Sequence, residues 1–160
     1  MDKEPKSRGR LIFGAILIVA AAAVILANVS SPQPRPEPGG SGEYYVQRVV
    51  DGDTVVCGGI GKVRLLGIDT PERGEKGFEE AGDRLARLVA GRWVTLYFDE
   101  VVFDKYGRVL GYPVVDGVEV CPLMVYEGLA APYFIPPNER FRDRIEAAAR
   151  GEMPAGFVLD

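Results

Sequence analysis

The chain has 160 residues, a formal net charge of −4 at pH 7 and no histidine. The missing histidine excludes imidazole acid–base catalysis and histidine-ligated zinc, and the net negative charge is opposite to that of most duplex-binding proteins. The two cysteines, Cys57 and Cys121, lie too far apart in sequence to form a metal-ligand pair.

The first 29 residues predict a cytoplasmic tail followed by a membrane anchor. Residues 11–27 are a run of 17 uncharged, mostly apolar residues, which Asn28 and Val29 extend. At about 1.5 Å per residue, a helix over 11–29 just spans a thin hydrocarbon core. Residues 1–10 carry four basic and two acidic side chains, so the positive-inside rule predicts a cytoplasmic tail and an extracytoplasmic remainder. A cleaved secretory signal is the alternative, and it also places the remainder outside the cytoplasm.

A proline- and glycine-rich linker at residues 30–42 separates this anchor from a domain at residues 43–160. The domain carries 14 basic and 20 acidic residues, a net charge of −6. Any polyanion must therefore be bound at a local site, with help from a cation.

The first half of the domain predicts three strands, at residues 44–50, 54–57 and 62–68, joined by glycine-bearing turns. Arg64 and Asp69 are an odd number of positions apart, so strict alternation would put their side chains on opposite faces. Gly67 lies between them, and a glycine inside a strand often marks a bulge. We therefore predict a break in the strand at Gly67.

The second half predicts two further strands and three helices. Apolar residues at helical spacing favour a helix at 77–90, and strands follow at 93–98 and 109–115. A short helix at 121–127, an extended segment at 129–135 and a last helix complete the domain. The last helix is expected to bury Phe141, Ile145, Ala148 and Ala149. Five or so short strands with a helix after the third favour a small OB-type barrel.

Oxygen-bearing and basic side chains recur where the predicted strands end. Asp53 follows the first strand and Asp69 ends the third, so both can reach one end of a barrel and share a divalent cation. Oxygen ligands without imidazole or thiolate favour calcium or magnesium over zinc. Arg64 and Arg108 can fork onto phosphate oxygens, and Glu72, beside the predicted ligands, can activate a water molecule. The simpler alternative is a strand with a surface arginine, followed by an ordinary turn.

Four motifs in this chain resemble the staphylococcal nuclease (thermonuclease) family. They are VVDGDTV at 49–55, VRLLGIDTPE at 63–72, DKYGRVLGY at 104–112 and GLA at 128–130. The resemblance implies an α+β domain, a five-stranded OB-fold barrel with helices. The apolar run at 11–29 predicts one transmembrane helix ahead of it. The resemblance also implies a calcium-dependent nuclease that hydrolyses single-stranded DNA or RNA to 3′-phosphate products. Nothing in the sequence indicates a protein partner or oligomerisation, so we expect a monomer.

The resemblance assigns the metal ligands and the base. The carboxylates of Asp53 and Asp69 and the backbone carbonyl of Thr70 would bind calcium. Glu72 would be the general base, although the loop that follows it is several residues shorter than in the family's type member.

The resemblance also assigns the substrate contacts. Arg64 and Arg108 would contact the scissile phosphate and stabilise the five-coordinate transition state, and Lys105 and Tyr133 match positions near the nucleotide's phosphate and base. Ile135 occupies the position of a second expected aromatic, which predicts weaker base stacking.

Two non-catalytic functions are the alternatives to a nuclease. One is an OB-fold module that binds nucleic acid or another anion, and the other is a surface module that uses calcium only for stability.

Overall fold

The computed structural model describes residues 35–154 and 156, which form eight strands and three helices. The strands are β1 (Ser41–Asp51), β2 (Thr54–Cys57), β3 (Gly61–Leu65), β4 (Gly67–Asp69), β5 (Trp93–Tyr97), β6 (Val109–Val115), β7 (Val118–Glu119) and β8 (Ala131–Tyr133). The helices are α1 (Phe78–Val89), α2 (Val120–Tyr126) and α3 (Arg142–Ala149). The predicted tail at 1–10, the predicted membrane helix at 11–29 and the linker up to residue 34 lie outside the described residues. Within the described residues, no helix is both long and apolar enough to cross a bilayer.

Five of the strands close into a barrel. They are hydrogen-bonded in the order β3-β2-β1-β5-β6, and β3 pairs in parallel with β6 to complete the ring. The other pairings within the ring are antiparallel. The long strand β1 spans both halves of the barrel because it pairs with β2 and with β5. This arrangement confirms the predicted OB-type barrel.

Strand β1 begins three residues earlier than the sequence predicts. The segment Ser-Gly-Glu has little strand propensity of its own, and it is extended because it pairs in register with β5. The paired residues are Ser41 with Tyr97, Gly42 with Leu96, and Glu43 with Thr95. The last two residues of the predicted linker at 30–42 therefore belong to the barrel.

The predicted third strand is broken at Gly67, as expected. Gly67 has a φ of 80°, which separates β3 from β4. Strand β4 leaves the barrel and pairs with β8, with Gly67 opposite Tyr133. A side chain at Gly67 would overlap Ile145 and lie 3.3 Å from ring atoms of Phe134 and Tyr112.

The three helices close the barrel with apolar faces. Helix α1 buries Ala81, Leu85 and Val89, which confirms the helix predicted at 77–90. Helix α3 buries Ile145 and Ala148, but Ala149 is exposed, so that part of the prediction was wrong. A helix has 3.6 residues per turn, which turns position 149 about 100° away from position 148. Cys57 and Cys121 are both buried and both free.

We expect Gly67→Ala to destabilise the domain by about 3 kcal/mol. About 1 kcal/mol comes from the left-handed backbone that a Cβ disfavours, and the rest from crowding against the fully buried Ile145. Gly61→Ala is the matched control, because Gly61 has a φ of 76° but a Cβ at that position would meet no atom within 4 Å. Urea unfolding followed by circular dichroism would measure both, and equal losses would contradict the crowding argument.

Candidate active site

Asp53 is a buried carboxylate in the turn between β1 and β2, with 7 % of its surface exposed. Its Oδ1 accepts a hydrogen bond of 3.0 Å from the Thr54 hydroxyl, and its Oδ2 accepts one of 3.2 Å from the Thr70 hydroxyl. Burial raises the pKa of Asp53 above its usual value, whereas the Arg64 charge and the two hydroxyl donors act in the opposite direction. The side chain of Thr70 thus supports Asp53, and only its backbone carbonyl is free to act as the predicted ligand.

Arg64, on β3, joins the two predicted metal-binding carboxylates. Its Nη2 lies 3.0 Å from Asp53 Oδ2 and 3.0 Å from Asp69 Oδ1, so these two oxygens are at most 6.0 Å apart. Its Nη1 donates to the carbonyls of Leu65 and Ile68 at 2.8 and 3.0 Å. The bend at the end of β3 brings the Ile68 carbonyl and the Asp69 carboxylate back towards the guanidinium.

The donor atoms at this point fit a hard divalent cation. Asp53 and Asp69 supply two nearby carboxylates, and Thr70 follows Asp69 directly with a carbonyl oxygen. Calcium takes six to eight oxygen ligands, of which water commonly provides several. Among residues 35–154 and 156, no group of three or more His, Cys, Asp or Glu side chains is placed to hold a metal. A cation held here would therefore depend on backbone and water oxygens in addition to the two carboxylates.

Arg108 is fixed by the turn that precedes β6. Asp104 Oδ1 accepts hydrogen bonds of 2.9 Å from the backbone N–H groups of Tyr106 and Arg108, and its Oδ2 accepts one of 2.6 Å from Arg108 Nε. Burial alone would raise the pKa of Asp104, but these donors together hold it below its usual value. Asp104 begins the DKYGRVLGY motif, but no role was predicted for it from the sequence. The sequence pattern that could have identified its role is an Asp four positions before the arginine, ahead of a Tyr-Gly turn.

Both arginines line one cleft of about 560 Å³. Lys105 and Tyr133 line the same cleft, together with the exposed side chains of Tyr106 and Ile135. Lys105 Nζ lies 5.0 Å from the centre of the Tyr106 ring. The structure thus brings together the four residues predicted to contact substrate, and Asp53 and Asp69 are linked to the cleft through Arg64.

Glu72 is the predicted site residue that the structure does not bring into contact with the others. It is exposed in the turn after β4, where its backbone N–H donates to Glu75 Oε2 at 2.7 Å. Within the described region, its carboxylate makes no hydrogen bond or ion pair with Asp53, Arg64 or Asp69. Its role as general base stays a prediction.

Comparison with known proteins identifies the chain's relatives. The family model described as staphylococcal nuclease homologue matches residues 62–152. The chain belongs to the staphylococcal nuclease family. It is 34 % identical to a thermonuclease of Staphylococcus intermedius, over 84 % of this chain and 89 % of that protein. It is 32 % identical to a thermonuclease of Staphylococcus hyicus, over 88 % of this chain and 92 % of that protein. It is also 38 % identical to the SPbeta prophage-derived endonuclease YokF of Bacillus subtilis, over 74 % of this chain and 46 % of that protein.

These relatives favour catalysis over the two non-catalytic alternatives. The chain is a nuclease, and nucleic acid is its substrate. The span matched by the family model includes Arg64, Asp69, Glu72 and Arg108, and it begins after Asp53.

Thr70→Val is expected to raise the pKa of Asp53 further. Valine keeps the shape of threonine but removes a hydroxyl donor that favours the ionised carboxylate. If ionised Asp53 is needed for activity, the acidic limb of the kcat/KM profile moves to higher pH. An NMR titration of the Asp53 carboxyl carbon would measure the pKa directly, with Thr95→Val on β5 as the control. A pKa for Asp53 that is unchanged or lower in Thr70→Val would contradict the assignment.

Proposed function

We propose that this nuclease is calcium-dependent and hydrolyses single-stranded DNA or RNA to products with 3′-phosphates. The observation that carries the proposal is the Arg64 guanidinium, which lies within 3.0 Å of both Asp53 and Asp69 and also lines the cleft with Arg108. Two carboxylates for a hard cation and two fixed positive charges are what a phosphodiester needs at the point of cleavage.

Calcium would be held by the carboxylates of Asp53 and Asp69 and the backbone carbonyl of Thr70. When bound, it would polarise a phosphoryl oxygen and so favour attack at phosphorus. Arg64 now pairs with the same two carboxylates, so it must turn from them to reach a phosphate oxygen. Its second nitrogen can stay on the carbonyls of β3 and β4, which would limit that movement to one end of the guanidinium.

Arg108 and Glu72 would complete the reaction. Arg108, held by Asp104 through Nε, keeps its terminal nitrogens for phosphate oxygens whose charge rises in the transition state. Glu72 would take a proton from the attacking water, whose oxygen would bond to phosphorus as the bond to the 5′-oxygen breaks. The released 5′-oxygen would take a proton from solvent. The products are a 3′-phosphate and a 5′-hydroxyl.

Lys105 and Tyr133 would hold the nucleotide next to the scissile bond. Tyr133 is 51 % exposed and offers its ring to a base, and Lys105 offers a charge to a neighbouring phosphate. Ile135, two residues later, is exposed in the same cleft but has no π-face. Of these two positions, only Tyr133 would therefore stack on a base.

We further propose that the enzyme works outside the cytoplasm as a monomer. The support is the uncharged run at 11–29 behind a basic tail, which is typical of an anchor with its N-terminus in the cytoplasm. Cleavage of that segment would release the domain in soluble form.

The first experiment is cleavage of single-stranded DNA and RNA by the full chain, at mildly alkaline pH and low salt. We expect cleavage in calcium and none in chelator. Arg64→Ala should lose at least about 100-fold in kcat because a charge that stabilises the transition state is removed. Arg92→Ala, which removes a surface arginine paired with Asp116, is the control and should keep full activity. Equal cleavage in calcium and in chelator would contradict the calcium proposal.

The Glu72 assignment has its own test. Glu72→Gln should lower kcat by about 10²- to 10⁴-fold, because a positioned base is removed, and should leave the affinity for an oligonucleotide unchanged. Rapid-quench kinetics and a binding titration separate the two quantities. Full turnover by the variant would show that another group accepts the proton.

A further inference from the structure

Two basic side chains form a row across the outside of the barrel. Arg48 on β1 lies opposite Val56 on β2, and Val56 lies opposite Lys62 on β3. Residues opposite each other in a sheet share a face, and both basic side chains are exposed. Neither makes a hydrogen bond or an ion pair with another residue in the described part of the chain. In a domain with a net charge of −6, two unpaired cations on either side of Val56 are a local positive site.

An exposed aromatic pair continues this row. Tyr45 on β1 pairs in register with Trp93 on β5, and their rings lie 5.7 Å apart in an edge-to-face arrangement. Tyr45 is 41 % exposed and Trp93 is 51 % exposed. A bulge between Val46 and Arg48 turns Arg48 to the same side as Tyr45. We call Lys62, Arg48, Tyr45 and Trp93 the basic–aromatic face.

The basic–aromatic face runs directly into the cleft. Lys62 and Arg64 are two positions apart on β3, so their side chains point to the same side about 7 Å apart. From Arg64 past Lys62 and Arg48 to Tyr45 the path covers roughly 25 Å, at about 4.8 Å per strand crossed and 3.4 Å per residue along a strand. Glu43, exposed beyond Tyr45 on β1, marks the acidic end of this path.

We propose that the basic–aromatic face is a second binding site for the single-stranded substrate, outside the cleft. Arg48 and Lys62 would contact successive phosphates, and Tyr45 and Trp93 would stack on bases further along the strand. The length of the path suits the lower end of the range of about 4–16 nucleotides that one OB-type fold covers. This proposal rests on the nuclease function above and explains how an acidic domain can hold a polyanion.

Trp93 makes the proposal directly measurable, because it is the single tryptophan of the sequence. Titration of the full chain with a 12-nucleotide single strand, in chelator to suppress cleavage, should quench Trp93 fluorescence to saturation. The double variant Arg48→Ala/Lys62→Ala should weaken Kd by about tenfold. It should also reduce the slope of log K against log salt by about 1.4, since each lost phosphate contact removes about 0.7. The charge-retaining variant Arg48→Lys/Lys62→Arg should restore most of the affinity.

Arg87→Ala, on the exposed side of α1, is the control for loss of a positive charge. It removes one charge where the double variant removes two, so an effect of net charge alone would weaken its Kd by about threefold. A loss of that size would show that binding depends on net charge and does not depend on the basic–aromatic face. Absence of quenching by the oligonucleotide would also overturn the proposal. A blue shift with phosphatidylcholine vesicles and no response to the oligonucleotide would assign this face to a membrane surface instead.

Cleavage assays separate this proposal from the proposed function. In calcium, the ratio of kcat/KM for the 12-nucleotide strand to kcat/KM for a trinucleotide measures the preference for the longer strand. This ratio should be about tenfold lower in the double variant than in the parent enzyme. Saturable quenching without any cleavage would leave the second site standing and remove the catalytic proposal. Cleavage without quenching would do the reverse.

Discussion

The ion pairs of one guanidinium hold the candidate site together. Arg64 pairs with Asp53 in the turn between β1 and β2 and with Asp69 at the end of β4, and it also donates hydrogen bonds to the carbonyls of Leu65 and Ile68. Two carboxylates with oxygens within 6.0 Å of each other would repel without that charge between them. The same interaction puts the arginine at the edge of the cleft, so the group that stabilises the acidic residues is also the one that faces the phosphate.

The backbone at Gly67 makes this interaction possible. A continuous strand would turn Arg64 and Asp69 to opposite faces, and the left-handed conformation at Gly67 ends β3 and starts β4 in a new direction. The close packing of Ile145, Phe134 and Tyr112 around that position leaves no room for a side chain. Backbone conformation and core packing thus fix the geometry of the charged groups.

Basic side chains form a local positive region in and beside the cleft of this protein. The domain is acidic overall, yet Arg108 and Arg64 line the cleft, and the exposed Lys62 and Arg48 follow Arg64 across the barrel. Burial raises the pKa of Asp53, and the neighbouring arginine and hydroxyl groups oppose that shift. Attraction of a polyanion by such a protein falls off quickly away from the cations, because the Debye length is about 8 Å at physiological ionic strength.

Alternation, helical spacing and glycine placement are local properties of the chain, so they were enough to predict the barrel, most strand and helix positions, and the break at Gly67. The four family motifs also indicated a nuclease. Tertiary structure decided what depends on contacts between distant residues. Pairing with β5 made Ser41 and Gly42 part of β1, and the Asp104 turn fixed Arg108. Register across β1, β2 and β3 aligned Arg48 with Lys62, and β5 brought Trp93 beside Tyr45. These neighbours are far apart along the chain, and local sequence patterns do not predict which strands pair with each other.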